Sequence, residues 1–329
     1  MNVGLTTPLL PANEAAVAAA ARCLVEGGLV AFPTETVYGL GADATNPAAI
    51  ARLYAAKGRP AFNPLIAHVG DLVAAMRIAR FDAQATALAQ VFWPGPLTLV
   101  LPRTKDCAVA DLATAGLDTI AIRVPADPVA RAILRAFGGP VVAPSANLSG
   151  HVSPTSAAHV QSDLAGRIDL IIDGGAVEVG VESTIVGCFE APMLLRPGGL
   201  PREEIERVLG RRLVQPPDDT SDNGQPLAPG MLAAHYAPRT PVRLNAGRLE
   251  AGEALLAFGS VLVPGADTAT MILNLSPQSN LAEAAANLFG YLRLLDTTGA
   301  RGIAVMPVPQ HGLGEAINDR LRRAAMGRE

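Results

Sequence analysis

Short apolar runs alternate along the chain with longer Ala-rich stretches that carry polar residues on one side. The short runs read as strands at 29–32, 65–69, 97–101, 119–124, 141–142, 170–172, 182–186 and 193–196. Within 119–124, Thr, Ile, Ala, Ile, Arg and Val alternate at the strand period. The longer stretches read as helices at 13–26, 47–57, 71–76, 83–92, 127–137, 155–164 and 201–209. Several carry start signals: Asn13, Asn46 with Pro47 next, Asp127 with Pro128 next, and Ser153 with Pro154 next. Gly58 and Pro60 stop the second helix after Lys57. Strands and helices mix without strict strand–helix–strand order, which predicts an α+β sheet with parallel and antiparallel pairs.

After Arg211 the pattern breaks. VQPPDDTSDNGQPLAPG is rich in Pro, Asp, Ser and Gly and reads as a linker. Apolar strands near 242–244, 255–258, 261–263, 271–273 and 302–306, with helices at 281–295 and 314–326, then predict a second, smaller α/β unit. The division is 1–212, a linker over 213–240, and 241–329.

Composition supports a two-domain α/β protein. The chain has 329 residues, half of them hydrophobic and only 4% aromatic, so its core must be Ala, Val, Leu and Ile. A net charge of −4 gives no general affinity for nucleic acid. Arg320, Arg322 and Arg323 cluster on the last helix and read as its solvated face. Cys23, Cys107 and Cys188 are widely spaced and form no CxxC pair, which fits a reducing cytoplasm. The N-terminus lacks a basic region followed by an apolar one, and no apolar run is long enough to span a bilayer.

Chemistry-bearing motifs narrow the choice. Gly39-Leu40-Gly41-Ala42-Asp43-Ala44 fits a dinucleotide fingerprint, but the helix cap comes later, at Asn46, and the expected acidic residue is missing. These glycines read as turn formers. GxxxxGK[ST], GxSxG and HExxH are all absent. Instead Lys57, Arg59, Asn63, His68, Arg123, Ser145, Asn147, Ser149, Ser183 and Arg196 all fall at strand ends or in Gly/Pro-bounded loops. Cations, guanidinium forks and hydroxyls in that placement suit a polyphosphate or carboxylate ligand.

In order and spacing, PTETVYGLG, KGRPAFNPLIAHV, PGPLTLVL, APSANLSGHVSPT, GVESTIVG and LRPGGLP resemble the YrdC/Sua5 family in its two-domain form. PGMLAAHYAP resembles that family's interdomain linker, and residues 302–325 its C-terminal domain. The resemblance implies a twisted mixed α/β sheet with a concave, positively charged face, followed by a Rossmann-like domain. It implies synthesis of threonylcarbamoyl-AMP and pyrophosphate from L-threonine, bicarbonate or CO2, and ATP with Mg²⁺. The product would feed threonylcarbamoylation of tRNA adenosine at position 37 through a separate transfer complex, with at most a weak direct tRNA contact. Carried over by motif, Thr36, His68, Arg123 and Ser183 would bind L-threonine. Arg59, Asn63, Thr119, Ser145, Asn147, Ser153, Arg196 and Tyr236 would bind ATP, and Lys57 with Arg59 would serve catalysis; no residue is carried over as a metal ligand. Tyr236 lies outside the catalytic domain, so the linker is expected to fold back as a lid. Two other readings remain open on the same fold: an RNA-binding module, and a different carbamoyl-adenylate-forming enzyme.

Overall fold

The computed structural model describes residues 6–216, 228 and 236–327. The first domain opens with β1 (Leu9–Pro11), α1 (Glu14–Val25), β2 (Val30–Phe32), β3 (Gly39–Asp43), α2 (Pro47–Lys57) and β4 (Ile66–His68). It continues through α3 (Leu72–Ile78), α4 (Ala83–Phe92), β5 (Leu97–Pro102), α5 (Asp111–Thr114), β6 (Thr119–Arg123) and α6 (Pro128–Phe137). It closes with β7 (Val141–Val142), α7 (Ala157–Leu164), β8 (Leu170–Asp173), β9 (Thr184–Gly187), β10 (Met193–Arg196) and α8 (Arg202–Leu209).

The second domain holds β11 (Val242–Arg243), β12 (Glu253–Ala257), β13 (Ile272–Asn274), α9 (Leu281–Leu295), β14 (Gly302–Val305) and α10 (Leu313–Ala325). Among the described residues no helix is long and apolar enough to cross a membrane.

The first-domain strands form one mixed sheet in the order β1-β8-β2-β3-β7-β4-β6-β5-β9-β10. Side chains alternate between its faces, as the strand period requires. On one face Ala31, Ala67, Leu99, Ile122 and Ile171 pack under α2, α4 and α7 through Ile50, Leu53, Leu88 and Val160. On the other face Val30, Phe32, Val141 and Ile172 pack under α1 and α6. Those two helices cover only part of that face. Its remainder, Ile66, Val100, Ala121, Ile185 and Leu195, packs against Ala228. This part is where the candidate site lies.

The second domain has four parallel strands in the order β11-β14-β12-β13. Helices α9 and α10 pack on one side of it, and that cluster also takes in Val37, Val152, Val181 and Tyr236. The two helices are therefore sandwiched between the small sheet and the first domain.

Four local expectations change. Gly39 and Gly41 are not turn residues; they lie in β3, between β2 and β7. A Cβ on Gly41 would come within 2.6 Å of the Phe32 ring, so the strand needs glycine for close approach. Helix α7 is capped by Ser156, which accepts from the His159 N–H, and not by Ser153. Residues 261–263 form no strand, and Val261 is 77% exposed. The stretch 102–118, expected as loop, contains the single turn of α5.

The domains meet closely at Gly180. A Cβ there would sit 2.3 Å from the Ala285 carbonyl oxygen on α9, and its φ is +79°. Gly180→Ala is expected to destabilise the protein by about 2–4 kcal/mol through overpacking and left-handed strain. Urea unfolding of wild type and variant measures this.

Candidate active site

Strand alternation delivers the site's side chains. His68 lies on the same face of β4 as Ile66, and Arg123 on the same face of β6 as Ala121. Thr98 sits beside Val100 on β5, and Ser183 just precedes β9 on the Ile185 side. Parallel pairing of β4 with β6 puts His68 opposite Arg123. The register therefore aligns four polar side chains at one end of the partly covered face.

These residues enclose a cavity of about 50 Å³. Its walls include Thr36, Arg59, His68, Arg123, Ser145, Glu182, Ser183, Arg196 and Tyr236. Eight of those nine were singled out from the sequence. Glu182 was not, although it stands in the GVESTIVG motif.

Arg123 is held on three sides. Its Nη1 donates to Thr36 Oγ1 at 2.9 Å, its Nε to the Gly95 carbonyl at 3.3 Å, and its Nη2 pairs with Glu35 at 2.8 Å. Burial pushes the Glu35 carboxyl up, but Arg123 outweighs it and leaves the carboxyl below its ordinary value. Sequence reasoning passed over Glu35; its only signal was a carboxylate between the two threonines of PTET.

Ser183 accepts from or donates to Thr98 Oγ1 at 2.7 Å, and its carbonyl accepts from Arg196 Nη2 at 2.9 Å. Burial lowers the Arg196 guanidinium and holds that of Arg59 down to about 10. Arg59 Nη2 donates to the Pro64 carbonyl at 3.0 Å, which aims the guanidinium. Among the described residues, Arg59 Nε, Asn63 Oδ1 and Asn147 Oδ1 are buried without a hydrogen-bond partner. Gln84 Oε1, Arg131 Nε and Arg293 Nε, outside the cavity lining, share that condition.

Lys57, Asn63, Thr119, Asn147 and Ser153 do not line the cavity. Lys57 is fully buried, and its Nζ donates to the Ser145 and Asn147 carbonyls at 2.5 Å each. It organises the 145–147 loop from beneath. Burial, with Arg59 nearby, drives its amine well below the ordinary lysine value. Asn147 Nδ2 ties the same loop to the Leu148 and His151 carbonyls. Ser153 Oγ donates to Glu182 Oε1. Thr119 shares the Arg123 face but starts β6, four residues and about 13 Å along the strand.

The second domain reaches into this wall. Arg320 on α10 is wholly buried, so the expected solvated face of the last helix is corrected at this position. Its Nε donates to Glu182 Oε2 at 2.8 Å. The helix is amphipathic, and Arg320 falls among its buried residues with Ile317 and Leu321. Tyr236 stacks on Phe289 of α9, with ring centroids 5.5 Å apart.

Comparison with known proteins adds to this geometry. A family model for Sua5, YciO and YrdC proteins, described as telomere recombination, matches residues 22–198. The chain belongs to the Sua5/YciO/YrdC family. A second model, described as the C-terminal domain of threonylcarbamoyl-AMP synthase, matches residues 200–326. A Bacillus subtilis family member named threonylcarbamoyl-AMP synthase is 42% identical over 336 residues, 98% of this chain and 96% of the relative. A Pyrococcus abyssi protein of the same name is 44% identical over 319 residues, 93% of each chain. The crystal structure of P. abyssi Sua5 complexed with L-threonine superposes with a TM-score of 0.88 at 40% identity, covering 97% of this chain and 98% of that one. The large mixed sheet and the small parallel sheet together match the fold of P. abyssi Sua5.

Burial sets the acid response of the site. The His68 imidazole is pushed from 6.5 down to about 3, first by burial and then by Arg123. Because the folded value is the lower one, the unfolded chain binds more protons between about pH 6.5 and 3, and stability falls as pH drops through that window. The Glu182 carboxyl, which Arg320 and then Arg196 hold at about 2 against burial, acts in the same direction below 4.5. The urea midpoint is expected to fall between about pH 7.5 and 5, and His68→Gln to flatten that fall. A midpoint equally steep in the variant would remove His68 as the cause.

Proposed function

We propose that this protein is an L-threonylcarbamoyladenylate synthase. It would join L-threonine, CO2 or bicarbonate, and ATP into threonylcarbamoyl-AMP and pyrophosphate. The observation that carries this reading is that Arg123 with Thr36, suited to a carboxylate, and Arg59 with Arg196, suited to phosphate, line one buried cavity. The full-length likeness to proteins named for this activity supports it.

The chemistry asks for positioning more than for a nucleophile. The threonine amine, in its neutral form, forms a C–N bond to CO2 and loses one proton, giving a carbamate. A carbamate oxygen then forms a bond to the α-phosphorus, and the bond to the pyrophosphate oxygen breaks. Both partners are anions. At 4 Å and an effective dielectric of about 20, each unit repulsion is roughly 4 kcal/mol. Arg59 and Arg196 offset such repulsion, and both are pre-aimed by main-chain carbonyls. Arg123 would take the threonine carboxylate while Glu35 and Thr36 fix its plane. His68 stays neutral and adds no competing charge. Lys57 would act through the 145–147 loop it supports.

Mg²⁺ would enter with ATP as part of the substrate. Among the described residues no cluster of three His, Cys, Asp or Glu could hold a metal. Both carboxylates nearest the reaction, Glu35 and Glu182, are paired with arginines. Phosphate oxygens are the usual Mg²⁺ ligands in such a case.

A cavity of about 50 Å³ is far below the roughly 300–1,000 Å³ of ligand pockets, so nucleotide entry would need the Tyr236 wall to move as a lid. Such a lid would shield the carbamate from water. Linker residues 217–227 and 229–235, His235 among them, lie outside the described residues. The product would pass to a separate tRNA-modifying transfer complex. Three free cysteines suit a reducing cytoplasm.

With ATP, Mg²⁺, labelled bicarbonate and L-threonine, the protein is expected to release pyrophosphate in a threonine-dependent way. A response to serine or glycine equal to that for threonine would overturn the substrate assignment. Arg123→Met should raise KM for threonine by tens of fold, from about 1.5–3 kcal/mol per charged hydrogen bond. Arg196→Ala should lower turnover by about a hundredfold or more. A near-wild-type KM for threonine in Arg123→Met, or a near-wild-type rate in Arg196→Ala, removes that residue from the site.

A further inference from the structure

The cavity that would take two anions has a carboxylate in its own wall, Glu182. Left alone, that charge would repel a triphosphate and draw Arg196, the second cation whose field acts on it. Its compensation comes from the other domain. Arg320, 138 residues downstream, donates from Nε to Glu182 Oε2 at 2.8 Å. Ser153 occupies the other carboxylate oxygen at 2.5 Å. The same guanidinium donates from Nη2 to the Pro197 carbonyl at 3.0 Å, next to Arg196. It also lies over the Tyr236 ring, 5.1 Å from the centroid. Asp319, itself paired with Arg323, accepts from Nη1 and helps hold the fork in place.

Other ion pairs bridge the domains without touching the cavity. Arg202 pairs with Glu315 at 2.5 Å and Arg293 with Asp163 at 2.8 Å. Docking alone therefore does not require a buried arginine aimed at a cavity-lining carboxylate.

We propose that Arg320 is a positioning residue for adenylation: it neutralises Glu182 and supports Tyr236, so that Arg196 is presented to the nucleotide only when the C-terminal domain is docked. The C-terminal domain thereby completes the nucleotide subsite, an assignment that rests on the ATP-dependent reading above. Removing the guanidinium leaves the Glu182 charge without its paired cation, and the damage should fall mainly on ATP and less on threonine. Removing the Glu182 charge as well should undo most of it.

The test compares wild type, Arg320→Met, Arg320→Lys, the double variant Arg320→Met/Glu182→Gln, and Arg202→Met as a plain interdomain control. KM for ATP and for L-threonine are measured separately from pyrophosphate release, and thermal melting checks folding. Arg320→Met is expected to raise KM for ATP at least about tenfold, with a smaller change for threonine. The double variant should recover most of that loss, and Arg320→Lys should fall between. Arg202→Met should lower the melting temperature and leave both KM values near wild type. Equal KM shifts in Arg320→Met and Arg202→Met, or no recovery in the double variant, would reduce Arg320 to a structural staple. If Arg320→Met does not fold, Arg320→Lys with and without Glu182→Gln carries the same comparison. If wild type releases no threonine-dependent pyrophosphate, the earlier reading fails by itself. Calorimetric titration with a non-hydrolysable ATP analogue then decides this one: weakened binding restored by Glu182→Gln supports it, and unchanged binding overturns it.

Discussion

Buried positive charge is the constraint on which this structure turns. Lys57, Arg59, Arg123, Arg196 and Arg320 are all buried, each at 9% exposure or less. An isolated buried charge costs several kcal/mol, so each must find compensation inside. Two rely on carboxylates: Arg123 on Glu35, and Arg320 on Glu182 and Asp319. All five also hold main-chain carbonyls, those of Ser145, Asn147, Pro64, Gly95, Ser183 and Pro197. Carbonyl dipoles stabilise a cation without cancelling its charge. Main-chain carbonyls thus hold the Arg59 and Arg196 guanidiniums in the cavity wall.

The sheet makes that arrangement possible. Helices α1 and α6 cover part of one face and leave the rest to small and branched residues around Ala121 and Ile185. Strand alternation brings His68 and Arg123 onto this open part. The second domain then presses α9 and α10 against its rim, with Tyr236 between Phe289 and the Arg320 guanidinium. The cavity wall and the domain contact thus share residues. The second domain contributes charge to the cavity wall as well as packing.

Much of this was legible in one dimension. Asn46 with Pro47, Asp127 with Pro128, and Gly58 beyond Lys57 placed helix ends because capping and left-handed closure are local chemistry. The 119–123 strand was legible from its alternation, and the same alternation put Arg123 on the site's face. Arg59, His68, Ser145, Ser183 and Arg196 were legible as polar groups at element ends, and Thr36 through the family resemblance. Strand β3 was missed because Gly39 and Gly41 resemble a turn until the Phe32 ring is seen packed against them.

Local sequence thus determined the helix caps, the strand periods, the two-domain layout and the set of polar residues at strand ends, since each depends on neighbours along the chain. Only the tertiary structure decided which of those polar groups share a cavity and which support it from behind. Lys57 went beneath a loop, and Ser153 left its helix cap to hold Glu182. Arg320 moved from an expected solvated face to the buried centre of the domain contact. These choices rest on partners dozens to more than a hundred residues away, where desolvation and charge balance are settled by packing and leave no mark on the local pattern.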